Sequence, residues 1–128
     1  HGQAHHFVRY APAEEDGGYG HQRYLGEAAR LLHVMELRLA QAEFLAGDYS
    51  IADMACWPWV RSAALIDMTL EPYPNLVRWF GAIEARPAVE VGSNIINDFR
   101  KRIVNSDKVP LTELQWSTLF GERQRAGG

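Results

Sequence analysis

Leu45-Ala46-Gly47-Asp48-Tyr49-Ser50-Ile51-Ala52-Asp53 carries the sharpest boundary in the sequence, a loop that turns into a helix start. Gly47-Asp48 is turn material, and Ser50 stands where a helix N-cap would stand. The Ser50 hydroxyl can accept from the backbone N–H at position 53, and the Asp53 carboxylate can reach back to the N–H of Ser50. That is an acidic variant of the capping box, whose loss costs about 1 kcal/mol. Tyr49 and Met54 occupy the flanking positions of a hydrophobic staple. The residues that follow, Ile51, Met54, Ala55, Trp57, Trp59, Val60, Ala63, Ala64 and Leu65, are apolar nearly all round the helix. Such a helix belongs in the middle of a bundle. Pro58 lies inside it and removes one backbone hydrogen bond, which predicts a kink near residues 54–58.

On the N-terminal side, Ala28, Leu31, Leu32, Met35 and Leu39 recur at helical spacing. They predict one long amphipathic helix over roughly 20–42, after a loop around Pro12 to Gly18. On the C-terminal side, Pro72 and Pro74 end the central element. Leu76, Trp79, Phe80 and Ile83 form the next stripe, closed by Arg86-Pro87. A further helix is expected from Ala88 to about Ile103, with Val89, Ile96, Phe99 and Ile103 inward. A short last helix is expected from Pro110 to Phe120, docked by Leu111, Leu114, Leu119 and Phe120. No run alternates apolar and polar residues for long, so strands are not expected. The expected fold is all-α, a bundle of five or six helices in one domain spanning 1–128, with 104–128 as a C-terminal extension.

Composition narrows the function classes. The chain has 128 residues, 47% hydrophobic and 23% charged, with net charge −3. A domain of that length buries roughly 65–70% of its unfolded surface, enough for one core. The charge is too small to imply a polyanionic partner. Arg100-Lys101-Arg102 lacks the interleaved aromatics of a nucleic-acid face and reads as a solvated helix end. No stretch reaches the roughly 20 apolar residues of a membrane span. Cys56 is the sole cysteine and cannot form an internal disulfide, which points to a reducing, cytoplasmic compartment. The chain opens on His1-Gly2-Gln3 without an initiator methionine, so a truncated start is expected.

The 45–53 segment resembles the capping-box region of glutathione S-transferase C-terminal domains. Cys56-Trp57-Pro58-Trp59-Val60 and the run from Pro74-Asn75-Leu76 through Trp79 to Arg86-Pro87-Ala88-Val89 follow at the family's spacing. Gly2-Gln3-Ala4-His5-His6-Phe7 and Tyr19-Gly20-His21-Gln22-Arg23-Tyr24 look like the bacterial nu-class, disulfide-bond reductase branch. The resemblance covers about residues 2–90. It implies a parent enzyme, a cytoplasmic homodimer, performing glutathione-dependent thiol–disulfide exchange or conjugation, with glutathione as cosubstrate and no metal. It also implies that the catalytic groups belong to an N-terminal thioredoxin-like domain absent from this chain, leaving the chain inert alone. Carried over by position, Arg23 would reach glutathione and Gln3, His6 and Phe7 would shape the pocket. The alternative is a non-catalytic helical assembly module, as such domains serve in translation factors and aminoacyl-tRNA synthetases.

Each residue also has a plainer reading. Arg23 can pair with Glu27 at i, i+4, worth about 0.3–0.5 kcal/mol. His1 and His5 share a spacing that can bind metal, but no third ligand accompanies them. Cys56 reads as an inert core thiol, because an activated one needs exposure and a nearby positive charge. Trp57, Trp59 and Trp79 read as core, though one of them could border the pocket. Asp53 reads as a cap with no chemistry of its own.

Overall fold

The computed structural model describes residues 1–15, 17–95 and 111–124. Among these residues there are six α-helices and no extended strand: α1 (Gly2–Arg9), α2 (Tyr19–Leu39), α3 (Ile51–Arg61), α4 (Pro74–Glu84), α5 (Pro87–Asn94) and α6 (Glu113–Leu119). Short 3₁₀ turns follow α1, α3 and α6. The all-α expectation holds. Ile96, Phe99 and Ile103, and the basic Arg100-Lys101-Arg102 run, lie outside the described residues.

The core lies where α2, α3 and α4 meet. Leu32, Leu39, Trp57, Val60, Leu76, Trp79 and Ile83 are all buried there. A second, smaller cluster of Ala4, Ala28 and Ile66 ties α1 to α2 and to the 3₁₀ turn Ala63–Ile66. Successive α-helical residues are about 100° apart, so Leu31 lies about 60° off the Ala28 direction, outside the tighter Leu32–Met35–Leu39 arc. Leu31 is accordingly exposed, a correction to its expected inward place.

The capping box forms. Ser50 Oγ accepts from the Ala52 N–H at 3.2 Å, and the Asp53 carboxylate accepts from the Ser50 N–H at 2.9 Å. Asp53 does more than cap. It is wholly buried and also accepts from the Leu45 N–H at 3.0 Å and from the Trp79 indole N–H at 2.7 Å. One carboxylate thus joins the 45–50 loop, the start of α3 and the middle of α4. Burial pushes its pKa up, but the bonds from Leu45, Trp79 and Ser50 outweigh that and hold it below the ordinary value.

A second carboxylate repeats the device. Glu36 of α2 accepts from the backbone N–H groups of Asn75 (3.2 Å) and Leu76 (2.9 Å) and from the Asn75 side chain (2.7 Å). It thereby caps α4, whose own N-cap residue Tyr73 offers no side-chain bond. Burial again raises its pKa and these bonds lower it further than burial raises it. Arg78 closes the exchange by donating to the carbonyl of Leu39, the last residue of α2, and to those of Ala42 and Glu43 just beyond it.

Helix α3 runs through Pro58 without a break. Its expected all-round burial is corrected: Asp53, Trp57 and Val60 face inward, while Ile51 (82% exposed), Met54 and Trp59 face outward. Tyr49, expected to staple to Met54, packs edge-on to Phe44 and carries the Arg86 guanidinium 3.8 Å above its ring. On α6, Leu114, Leu119 and Phe120 are exposed rather than sealed against the bundle. This helix docks instead through aromatic rings, described next.

Candidate functional site

The groove that gathers the sequence-nominated residues lies between α1, α2, the outer face of α3 and α6. It encloses about 940 Å³. Helix α1 places Gln3 and His6 on it, α2 adds Tyr24 and Glu27, α3 adds Trp59, and α6 adds Trp116, Leu119 and Phe120. Residues 3 and 6 are one helical turn apart and share a face. Tyr24 and Glu27 repeat that spacing on α2.

Four ring contacts set the groove's shape. His6 meets Phe120 edge to face with centroids 4.7 Å apart, and Trp116 lies 6.2 Å from His6 and 4.9 Å from Phe120. Tyr10 backs Phe120 at 5.6 Å. These contacts hold α6 against α1 with little aliphatic burial. Phe7 meets the His6 ring edge to face at 5.4 Å. Its ring stacks on Tyr24 at 5.5 Å and lies so close over Gly20 that a side chain at position 20 would collide with it. Phe7 thus braces α1 on α2 through Tyr24, a residue that itself lines the groove.

Arg23 lies beside the groove, its side chain 53% exposed, with a guanidinium nitrogen 3.7 Å from Glu27. Glu27 is already claimed by Arg30, which donates two bonds at 2.8 and 2.7 Å. Those bonds hold the Glu27 carboxyl below its ordinary range and raise the Arg30 guanidinium. Arg23 is the outer, longer partner of an occupied carboxylate. An exposed pair of that length is screened by water and holds Arg23 only weakly, which leaves its fork available to an anionic ligand.

The remaining candidates fall elsewhere. His5 spends Nδ1 on the carbonyl of His1 at 3.1 Å, and burial lowers its pKa, with the chain's amino terminus and Arg9 adding to the effect. No cluster of three potential metal ligands occurs among the described residues. Cys56 is half-buried in α3, and burial first, then the Asp53 charge, pushes its thiol pKa up. That is the opposite of activation. Trp57 and Trp79 are core, but Trp59 is 51% exposed and borders the groove, which corrects its reading as core. Trp116 carried no signal in the sequence, since it sits on a seven-residue helix without a long apolar stripe.

Beyond the groove, Leu31, Val34, Met35, Cys56, Trp59 and Val60 line a second, almost wholly apolar depression of about 420 Å³. His1, Gly2 and Trp59 border both. No helix among the described residues is long and apolar enough to cross a membrane.

The glutathione S-transferase C-terminal domain family matches residues 6–87, and the chain belongs to it. Within that family it is similar to two Escherichia coli K12 proteins. It is 43% identical over 88 residues to the disulfide-bond oxidoreductase YfcG, covering 68% of this chain and 40% of that protein. It is 39% identical over 116 residues to the disulfide-bond oxidoreductase YghU, covering 84% of this chain and 36% of that protein. The chain thus spans about two-fifths of the length of these relatives. A crystal structure of a glutathione transferase from Burkholderia graminis superposes with a TM-score of 0.64 at 38% identity, over 73% of this chain and 42% of that one. That structure holds two glutathione molecules per subunit.

Proposed function

We propose that this chain is the helical half of a glutathione-dependent disulfide oxidoreductase, and that its groove receives the second substrate beside bound glutathione. The observation that carries the reading is the convergence of Gln3 and His6 on one groove, with the Arg23 guanidinium 3.7 Å from Glu27 on the groove's α2 side. The similarity to two disulfide-bond oxidoreductases, and to a transferase with glutathione bound, supports it. Arg23 supplies a guanidinium for a glutathione carboxylate, and Gln3 and His6 supply side-chain donors and acceptors near the thiol. The reaction is thiol–disulfide exchange: a glutathione thiolate attacks one sulfur of a disulfide, forming a mixed disulfide and expelling the other sulfur as a thiolate. A second glutathione thiolate then attacks the glutathione sulfur of the mixed disulfide, giving oxidised glutathione and a second thiolate. Each expelled thiolate takes up the proton that a glutathione thiol gave to solvent. Cys56, with its raised pKa, takes no part.

The groups that activate the thiol are assigned to an N-terminal thioredoxin-like domain. The outer face of α3 with Leu31 and Val34 is the surface on which that domain would rest. An apolar face with Ile51, Met54 and Trp59 exposed supports that placement. A homodimer in a reducing, cytoplasmic compartment completes the proposal.

The test is glutathione-dependent reduction of a small disulfide by the protein at its native, gene-encoded length, with and without Arg23→Ala. The expected result is turnover in the wild type and a KM for glutathione raised about tenfold in the variant, the loss of one charge-assisted contact. No turnover, with intact folding, would favour the non-catalytic assembly module. An unchanged KM would return Arg23 to a surface pair.

A further inference from the structure

Charge inside the groove has one sign. Among the described residues that line it, Glu27 is the sole carboxylate, and no lysine or arginine accompanies it. Arg30 fixes that carboxylate from beside the groove: its Nε donates to one oxygen at 2.8 Å and a terminal nitrogen donates to the other at 2.7 Å. A carboxylate offers about four lone-pair positions, so each Glu27 oxygen can still accept another donor. Arg23 approaches only to 3.7 Å, longer than a hydrogen bond, and on the reading above a glutathione carboxylate engages it. The bonds from Arg30 also hold the Glu27 carboxyl below its ordinary range, so its charge is present at neutral pH. A second feature points the same way. Tyr24, Trp59, Trp116 and Phe120 line the groove with Glu27, and the faces of such rings attract cations.

We infer that Glu27 is a specificity-determining residue of the groove, selecting disulfides that carry an ammonium group near the sulfur over those that carry a carboxylate there. The inference rests on the thiol–disulfide reading above and names the class of its second substrate. An ammonium has three donors and no acceptor, so it can meet the unspent lone pairs of Glu27 while its stem lies along the rings. A carboxylate in the same place faces a like charge and finds no lining cation to offset it.

Glutathione-dependent reduction of three disulfides of matched backbone by the native-length protein tests it. They are cystamine, bis(2-hydroxyethyl) disulfide and 3,3′-dithiodipropionate, which end in ammonium, hydroxyl and carboxylate. Two glutathiones convert each disulfide to two thiols and leave one oxidised glutathione, so the exchange is common to all three. With the uncatalysed rate subtracted, kcat/KM should fall in that order, by about tenfold from first to last. That is the scale of one attraction gained and one repulsion avoided at a partly exposed charge. Glu27→Gln keeps the shape and removes the charge, and should bring first and last within about twofold. Glu27→Asp should keep the order. Far-ultraviolet dichroism identifies a variant that fails to fold. In that case the wild type carries the test, since raising salt from about 0.05 to about 0.5 M should shrink the preference severalfold. Equal wild-type rates, an order that survives Glu27→Gln in a folded protein, or a preference indifferent to salt would overturn the role of Glu27 and leave the thiol–disulfide reading standing. Turnover of none of the three by the wild type would overturn both.

Discussion

The two ends of α2 are built on different principles. At its C-terminal end, Glu36, Asp53, Arg78 and Trp79 form a polar knot in which one charged atom serves several backbone groups. At its N-terminal end, Phe7, Tyr24, His6, Trp116 and Phe120 meet ring to ring, with exposed apolar residues beside them. The knot specifies a unique arrangement, because a buried carboxylate with unmet partners is costly. The rings tolerate adjustment, since stacked and edge-on geometries differ little in energy. A bundle whose stability sits at one end can leave the other end free for ligands.

Breaking the knot should give the largest effect. Asp53→Ala orphans the indole N–H of Trp79 and the N–H groups of Leu45 and Ser50, and should cost about 3 kcal/mol or more in urea unfolding. Glu36→Ala, which uncaps α4, should cost about 1–2 kcal/mol by the same measurement. At the other end, Phe120→Ala should cost about 1 kcal/mol or less in global stability, since its ring is already 39% exposed, while releasing α6. Equal losses at the two ends would erase the distinction.

Acid sharpens it. The Asp53 and Glu36 carboxyls have pKa values below their ordinary ones in the folded chain. The folded protein therefore binds fewer protons than the unfolded chain at low pH. Their stabilisation is full above the unfolded value of about 4 and is lost as pH falls through the folded values. Asp53→Asn should flatten the stability–pH curve below about pH 4, and Arg23→Ala should leave its shape unchanged. The smallest expected effect concerns Cys56. Its thiol should react with iodoacetamide more slowly than free cysteine at pH 7–8, and Cys56→Ser should leave disulfide reduction intact.

The cap within the knot was legible in the sequence, whereas the knot's long-range bonds and the rings were not. Ser50-Ile51-Ala52-Asp53 is a local motif, so its helix start could be read from four residues. The inward stripe of Leu76, Trp79 and Ile83 follows from 3.6-residue periodicity alone. The reach of Asp53 to Trp79 spans 26 positions and that of Glu36 to Leu76 spans 40. No local pattern announces such pairings. The same holds for His6 with Phe120, which brings the last described helix back to the first. Periodicity also cannot tell an apolar face that packs within the chain from one that packs on something else. Trp59 and Ile51 therefore read as core and proved exposed. Gln3 and His6 came through resemblance and lie on one groove, and Phe7 packs against two rings that line it, His6 and Tyr24.

The most direct test of the account is amide chemical-shift mapping of the native-length protein titrated with glutathione. The shifts should concentrate at residues 3–6, 23–27 and 116–120, while 45–53 and 75–79 stay still. Shifts centred on the polar knot, or none at the ring-lined end, would contradict it.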